Sequence, residues 1–443
     1  MSEIDDSDSE ARYDRLIERA ATILADNHTG LFTKPSAGQY PHQWNWDSAF
    51  IAVGLGHIDR RRAFDELRTL LRAQWANGMV PHILYPHGAS NYFPTPEFWQ
   101  TRGAPGGPPI ETSGFTQPPL VASAVRRLYE RADDEEAAAF AREVYPSLLA
   151  WHRWLHGARD PDGTGLIAII HPWESGTDNS TRFAAPLERL GEVAAPPYSR
   201  QDQHFVKPGE RPEAGDYDRF MYLIGRYRAQ RWDDETVYRE APFLVQDVLF
   251  NSLVYRDERD LRVLAERLGE PVAEIDGWLA AAASAFDRRL WHESAGLYYD
   301  WDVRAGRAIE ESTCAALMPL YAGVADADKA GRLVRHQLLD PGRYAPGEGS
   351  RYFLPSVSKS SPYFEPRRYW RGPIWLNINW LLISGLREYG YLEEAAAIRR
   401  DTIELVERSG FVEYYDPRDG SPCGAAGFSW SAALLIDLLM EKN

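Results

Sequence analysis

Three stretches of this 443-residue chain set carboxylates among aromatic rings and small residues, a mixture that core packing alone does not require. The stretch His171-Pro172-Trp173-Glu174-Ser175-Gly176-Thr177-Asp178-Asn179-Ser180 carries two acids four residues apart in a loop. A carboxyl held against apolar rings has its pKa raised and stays protonated, as a general acid must. A second stretch, Phe411-Val412-Glu413-Tyr414-Tyr415-Asp416-Pro417, places an acid in a short strand. Alternation there sends Glu413 and Tyr415 to one face and Tyr414 to the other. A third, Tyr40-Pro41-His42-Gln43-Trp44-Asn45-Trp46-Asp47, brings two indoles and an acid to the mouth of a helix. Indole faces stack on the C–H faces of a pyranose, and a carboxylate accepts from paired hydroxyls. One protonated carboxyl and one carboxylate on opposite sides of a glycosidic bond hydrolyse it with inversion when they stand roughly 6.5–9.5 Å apart, against about 5–5.5 Å for retention. Asp178 and Glu413 are the expected pair, and Glu174 is a rival for either role. Each stretch also has an ordinary reading: Asn45 as an N-cap with Asp47 at the positive helix end, an Asx turn at Asp178, a hairpin edge at Glu413.

Composition frames these stretches. Aromatic residues make up 12% of the chain and include 15 Trp, more than a core of ordinary size needs. That excludes a disordered chain. Two cysteines, Cys314 and Cys423, exclude a disulfide scaffold and suggest a reducing compartment. The rings Trp44, Trp46, Trp173, Trp370 and Trp375 fall beside acids, in loops or at helix starts, and are the expected sugar platform. Trp151, Trp278 and Trp291 fall on helical stripes and read as core. A formal charge of −16 argues against a nucleic-acid partner and against anionic lipid. No apolar run approaches a membrane span, and the start MSEIDDSDSE is unlike a signal peptide, so a cytoplasmic protein is expected. The sequence leaves the oligomeric state open, a homo-oligomer included.

The elements that must position the acids are helices. Tyr13, Leu16, Ile17, Ala20, Ile23 and Leu24 form one apolar stripe, and similar stripes recur near 45–58, 60–76, 118–133, 135–157, 216–230, 243–268, 272–291, 311–322, 326–338, 373–389, 392–408 and 428–441. Strand-like pieces are short: 165–170, 296–300 and 410–415. Each follows a Gly, at Gly165, Gly296 and Gly410, which gives a weak helix-plus-hairpin repeat. About thirteen helices without a linker predict one domain over 1–443, an all-α (α/α)6 toroid with short hairpins. Long Pro/Gly-rich loops, notably 77–117 and 158–215, would surround one mouth. Two helical domains divided near 190–215 are the competing arrangement.

Other chemistries lack their signals. Gly54-Leu55-Gly56 has no third glycine of a dinucleotide fingerprint, and no P-loop occurs. Gly427-Phe428-Ser429-Trp430-Ser431 lacks the last glycine of a nucleophile elbow. His152 and His156 have Arg153 where a zinc protease needs Glu, and read as two surface histidines on a helix. No cysteine cluster or other metal site is expected. A sugar isomerase shuttling protons through His42, His82 and His171, or a non-catalytic sugar-binding protein, would use a similar pocket.

The pieces YPHQWNWDSAF, QWANGMVPHI, GFTQPP, WHRWL, HPWESGTDNS, GDYDR, YWRGPIW and FVEYYDP run from residue 40 to near the C-terminus. In these the sequence resembles glycoside hydrolase family 63, and within it the bacterial mannosylglycerate and glucosylglycerate hydrolases; trehalases share a looser version. The resemblance implies an (α/α)6 barrel, inversion at an α-glycosidic bond and no organic cofactor. It implies Asp178 as general acid and Glu413 as general base. It places Trp46, Asp47, Gln117, Glu174 and Trp370 around the cleaved sugar; Gly176, by its type alone, would allow close approach in the loop of the two acids. Tyr40, Tyr92, Arg211, Tyr217 and Tyr369 match positions toward the glycerate, where a guanidinium would pair with a carboxylate. One departure stands out: those enzymes carry a Gln shortly before the final Trp, where this sequence has Gly427-Phe428-Ser429. The expected substrate is a small α-glucoside or α-mannoside, of glycerate first, with an oligosaccharide α-glucosidase or trehalase-like enzyme as the alternative.

Overall fold

The structure is a computed structural model that describes residues 3–86, 92–201 and 207–441. Six helices form a closed inner ring. Asn45–Ile58 packs on Val121–Ala132, and this on Val248–Leu268. Next come the short Met318–Ala322, then Leu376–Glu388, then Ser429–Met440, which returns to Asn45–Ile58. Outer helices back the ring: Arg60–Leu71, Glu135–Arg159, Ala273–Ala285 and Leu392–Ser409 each pack on the inner helix before them in sequence. The first helix, Glu3–Asp26, covers the last, Ser429–Met440. The architecture is an (α/α)6 toroid. Among the described residues no helix is long and apolar enough to cross a membrane.

The connections differ between the two ends of the ring. Inner helices pass to outer ones through turns of one residue, Asp59, to four, 269–272. These turns are capped tightly. Asp59 accepts from Arg62 N (3.2 Å) and Asp134 from Ala137 N (2.9 Å), each satisfying a donor that the first helical turn leaves unpaired. Outer helices return to inner ones through all the long loops, so the N-terminal ends of the inner helices share one mouth. Positive helix-dipole ends therefore face that mouth.

The helical stripes match the structure closely, and the departures have local causes. The helix expected from 243 starts at Val248, because Val245–Gln246 pairs as a strand with Asp302 and Trp301 and Asp247 caps the helix through Phe250 N (2.8 Å). The 165–170 piece makes only a single bridge, Ile169 to Val245. Asn45 is not an N-cap. It is the first helical residue, and its Nδ2 is spent on the carbonyls of Val80 (3.4 Å) and Pro81 (3.3 Å). His152 is not on the surface. It is fully buried between helices, 3.0 Å from Asp257, while His156 Nε2 meets Glu258 at 2.6 Å. Trp151 is core as expected, whereas Trp278 and Trp291 are only half-buried.

Candidate active site

Each wall of the mouth is built by a loop that enters an inner helix. Gln43–Trp44 pairs with Ile83–Leu84 in a two-residue ladder, which fixes Trp44 just before the Asn45–Ile58 helix. Trp46 and Asp47 then lie in the first turn of that helix, and Gln117 Oε1 accepts from Trp46 N at 3.4 Å. Trp173 lies in the tight turn Pro172–Ser175, where His171 Nδ1 accepts from its backbone N–H (3.0 Å). Gly176 follows in the left-handed region (φ +72°), and a Cβ there would stand 2.6 Å from the Trp46 ring. Only glycine fits both the backbone and that approach. Asp178 comes next, partly exposed. Asn179 Nδ2 donates to Tyr369 O (2.8 Å), which ties the Asp178 loop to the loop before the Leu376–Glu388 helix.

Glu413 arrives on Val412–Tyr415, paired with Pro422–Ala426. The register shifts between Val412 and Tyr414, and all four strand residues are buried. The extra residue lies on the partner strand, where Cys423 to Ala426 spans one position more than Val412 to Tyr414. Glu413 Oε2 accepts from Ala425 N (3.0 Å), and Oε1 accepts from the Tyr40 hydroxyl (2.9 Å). Tyr40 Oη in turn accepts from Arg211 Nη1 at 3.3 Å, and the Arg211 guanidinium lies 4.1 Å from the Tyr369 ring centre. Burial pushes the Glu413 carboxyl up; Arg211, Ala425, Tyr40 and Tyr369 draw it back only in part. Asp47 is raised well above the carboxylate range, by burial first and by the charge of Glu413 second.

One cavity collects these groups. It holds about 90 Å³ for the centres of water molecules and is lined by Asp178 and Glu413 together with Tyr40, Trp44, Trp46, Asp47, Tyr92, Gln117, Trp173, Gly176, Arg211, Tyr217 and Tyr369. Three residues expected in its wall stand behind it. Glu174 is fully buried and accepts from Arg159 Nη2 (3.1 Å), Ile170 N (2.8 Å) and Thr116 N (3.3 Å), so its carboxylate braces one side chain and two backbone N–H groups behind the wall. Trp370 and Trp375 stack on each other at 3.7 Å with parallel planes, and Trp375 stacks on Tyr414 at 4.6 Å. This pile of rings supports Tyr369, 5.2 Å from Trp375, without reaching the cavity.

The wall also contains Gln39, Phe93, Gln201 and Trp430, which the sequence did not single out, and His82 and Phe428, which enter the expectations only as an isomerase's proton shuttle and as a departure from the family. His82 belongs to the QWANGMVPHI piece, and Trp430 starts the last apolar stripe; nothing in periodicity separates such a ring from core. Of the three histidines considered as proton shuttles, only His82 reaches the cavity. Burial, then the neighbouring His171, hold it well below the usual imidazole range and therefore neutral. Among the described residues no group of three or more His, Cys, Asp or Glu could hold a metal ion.

A helical toroid with its acids, indoles and one arginine at a single mouth defines a toroidal glycoside hydrolase, and the sequence comparisons give the family. Residues 40–431 match the profile of the mannosylglycerate hydrolase MGH1-like glycoside hydrolase domain. The chain belongs to this family, within glycoside hydrolase family 63. It is similar to a mannosylglycerate hydrolase of Thermus thermophilus, 45% identical over 94% of this chain and 99% of that one. It is also similar to a glucosylglycerate hydrolase of Mycolicibacterium hassiacum, 35% identical over 96% of this chain and 98% of the relative. A crystal structure of a family 63 mannosylglycerate hydrolase from Thermus thermophilus, in complex with Tris and D-glycerate, superposes with a TM-score of 0.90, at 45% identity over 95% of this chain and 99% of that one.

Proposed function

We propose that the protein is an inverting α-glycosidase that hydrolyses glucosylglycerate or mannosylglycerate to the free sugar and glycerate. The observation that carries the reading is Arg211 in the same cavity as Asp178 and Glu413, joined to Glu413 through the Tyr40 hydroxyl. An acidic protein taking an anionic substrate needs a local cation, and a guanidinium suits a carboxylate. Asp178 gives its proton to the departing glycerate oxygen. Glu413 takes a proton from the water that adds to the anomeric carbon from the opposite face. Hydrogen bonds from Tyr40 and Ala425 favour the ionised Glu413 that this step needs. Trp46, Asp47, Gln117, Trp173 and Gly176 hold the sugar, and Tyr92, Tyr217, Tyr369, Tyr40 and Arg211 face the glycerate. The closed ring supports one catalytic domain over 1–443. The names of the relatives support both glycosides as substrates.

Phe428 favours a second reading. Its ring occupies cavity wall where it offers no hydrogen bond to a carboxylate but can stack on the C–H face of a second pyranose, which suits a neutral disaccharide and a trehalase-like α-glucosidase. Turnover of glucosylglycerate, mannosylglycerate, trehalose and kojibiose separates the two. Arg211→Ala should cut kcat/KM on the acidic glycosides at least tenfold and spare neutral ones; equal losses would sink the carboxylate role. Asp178→Ala and Glu413→Ala should each abolish turnover with a near-native melt. Proton NMR should show the β-anomer first, and an α-anomer at early time contradicts inversion.

A further inference from the structure

Asp178 lies between the turns Pro172–Ser175 and Thr181–Phe183, outside any helix or strand, so its place depends on what holds the loop. Arg182 holds it from both sides. The side chain is 3% exposed. Its Nη2 donates to Thr177 Oγ1 (2.8 Å) and its Nε to Ser180 Oγ (3.2 Å), one residue before and two residues after Asp178. Its remaining nitrogen, Nη1, faces the other way and pairs with Asp300 (2.6 Å) and Asp247 (3.0 Å). Both aspartates are fixed to the start of the Val248–Leu268 inner helix: Asp300 accepts from Val248 N (2.7 Å) and Asp247 from Phe250 N (2.8 Å). A planar guanidinium with all three nitrogens engaged transmits the position of that helix end to the loop with little freedom of its own.

We infer that Arg182 is a positioning residue for Asp178, gripping the loop through Thr177 and Ser180 while Asp247 and Asp300 anchor it to the ring. The inference rests on the reading of Asp178 as the general acid. A carboxyl displaced by about 1 Å loses on the order of a hundredfold in rate, so the grip matters to the chemistry and not only to the fold.

Leaving-group chemistry separates the two. With the glycoside, the C–O bond to the aglycone breaks and Asp178 supplies the proton that the departing oxygen needs. With the α-glycosyl fluoride of the same sugar, the C–F bond breaks and fluoride departs as the anion without that proton. Water addition and proton transfer to Glu413 are the same in both. The probes are glucosylglycerate or mannosylglycerate, whichever turns over faster, and the matching fluoride. The double variant Thr177→Val/Ser180→Ala keeps the Arg182–aspartate pairs, so it folds even where Arg182→Met does not. It should lose about ten- to a hundredfold in kcat on the glycoside and no more than about threefold on the fluoride. Arg182→Lys, which keeps the charge but cannot reach both hydroxyls, should fall between wild type and Arg182→Met on the glycoside. Equal losses on both substrates, or no loss on the glycoside, overturn the inference. Asp178→Ala is measured alongside. Glycoside turnover lost with fluoride turnover kept supports the acid; loss of both removes that reading, whatever the Arg182 variants do.

Discussion

At the start of the Ser429–Met440 helix, Trp430 faces the cavity that Glu413 shares; two turns further along, Asp437 sits among Arg131, His57 and Trp380. Both carboxyls are buried: Glu413 is 1% exposed and Asp437 0%. Their partners differ in kind. Asp437 lies 2.8 Å from a guanidinium nitrogen of Arg131, the indole nitrogen of Trp380 and Nε2 of His57, with Arg127 at 3.7 Å. Burial pushes it up, but His57, Arg127, Arg131 and Trp380 together pull it below the ordinary carboxylate range. Glu413 takes a hydroxyl and a backbone N–H, with its cation one hydrogen bond away, and stays raised. Equal burial thus yields a quenched carboxylate at the closed end of the ring and a basic one at the mouth. The under-compensated charge is the one proposed as the general base.

Exchanging the effects of these two residues is the strongest way to break the comparison. Glu413→Gln should lower kcat by about 10²–10⁴-fold, the range for losing an acid–base group, with no loss of melting temperature. The sign of its pH dependence follows from the raised pKa. Between the unfolded value and the folded one, the native state binds more protons, so wild-type stability falls as pH rises through that window. The melting temperature of Glu413→Gln should therefore gain on wild type as pH rises above the ordinary glutamate value of 4.5. A variant that melts lower than wild type at pH 7 would show that Glu413 is structural.

Asp437→Ala should do the reverse. It strands Arg127, Arg131 and His57 around an empty site and should cost about 3–5 kcal/mol in denaturant titrations, the usual penalty for breaking a buried ion pair. The kcat of the folded fraction should stay within about twofold of wild type, since Asp437 lies two turns from the cavity. A large kcat loss with a native melt would erase the distinction between the two ends.

What the sequence made legible follows the same division. Apolar stripes reveal the helices because each inner helix must bury a face, and Asp178, Glu413, Arg211 and Tyr217 do meet in one cavity although they are spread over more than 200 residues. Glu174 was not separable from Asp178 by its neighbours in sequence. What sets it apart is Arg159, at the end of a different element. His152 could not be read as buried because its partners, Asp257 and Glu258, lie about a hundred residues on. Trp370 and Trp375 share the Gly/Pro-rich surroundings of a binding loop, but their stacking on each other and on Tyr414 keeps them behind the wall. Composition marks residues of the right type, and three-dimensional partners decide which are quenched.

His152 sharpens the contrast on the alkaline side. Burial alone would push its imidazole down, but hydrogen bonds and charges from Asp257 and Glu258 hold it up at about 9. A histidine raised in the folded state contributes stability that is fully present below its unfolded value, about 6.5, and lost as pH rises through about 9. Wild-type melting temperature should fall between pH 7 and 9, and His152→Gln should melt lower at pH 7 with a flatter profile over that range. An unchanged slope in the variant would assign the alkaline loss to other groups.

The smallest effects come from removing one hydrogen-bond donor at each end. Trp380→Phe takes the indole N–H from Asp437, which keeps Arg131 and His57 at 2.8 Å. Its cost should be about 1–2 kcal/mol of stability, with no change in the pH–rate profile. Tyr40→Phe takes the hydroxyl from Glu413 Oε1 and from Arg211. That hydrogen bond lowers the Glu413 pKa, so its loss should move the acid limb of kcat/KM to higher pH and reduce kcat by about tenfold at neutral pH. Both substitutions leave a phenyl ring and take one donor from a buried carboxylate, so a shift of the acid limb in Tyr40→Phe alone isolates the mouth as the end where one donor tunes a reacting group. The same shift in both variants, or in neither, would mean that the donor count around a buried carboxylate does not distinguish the ends.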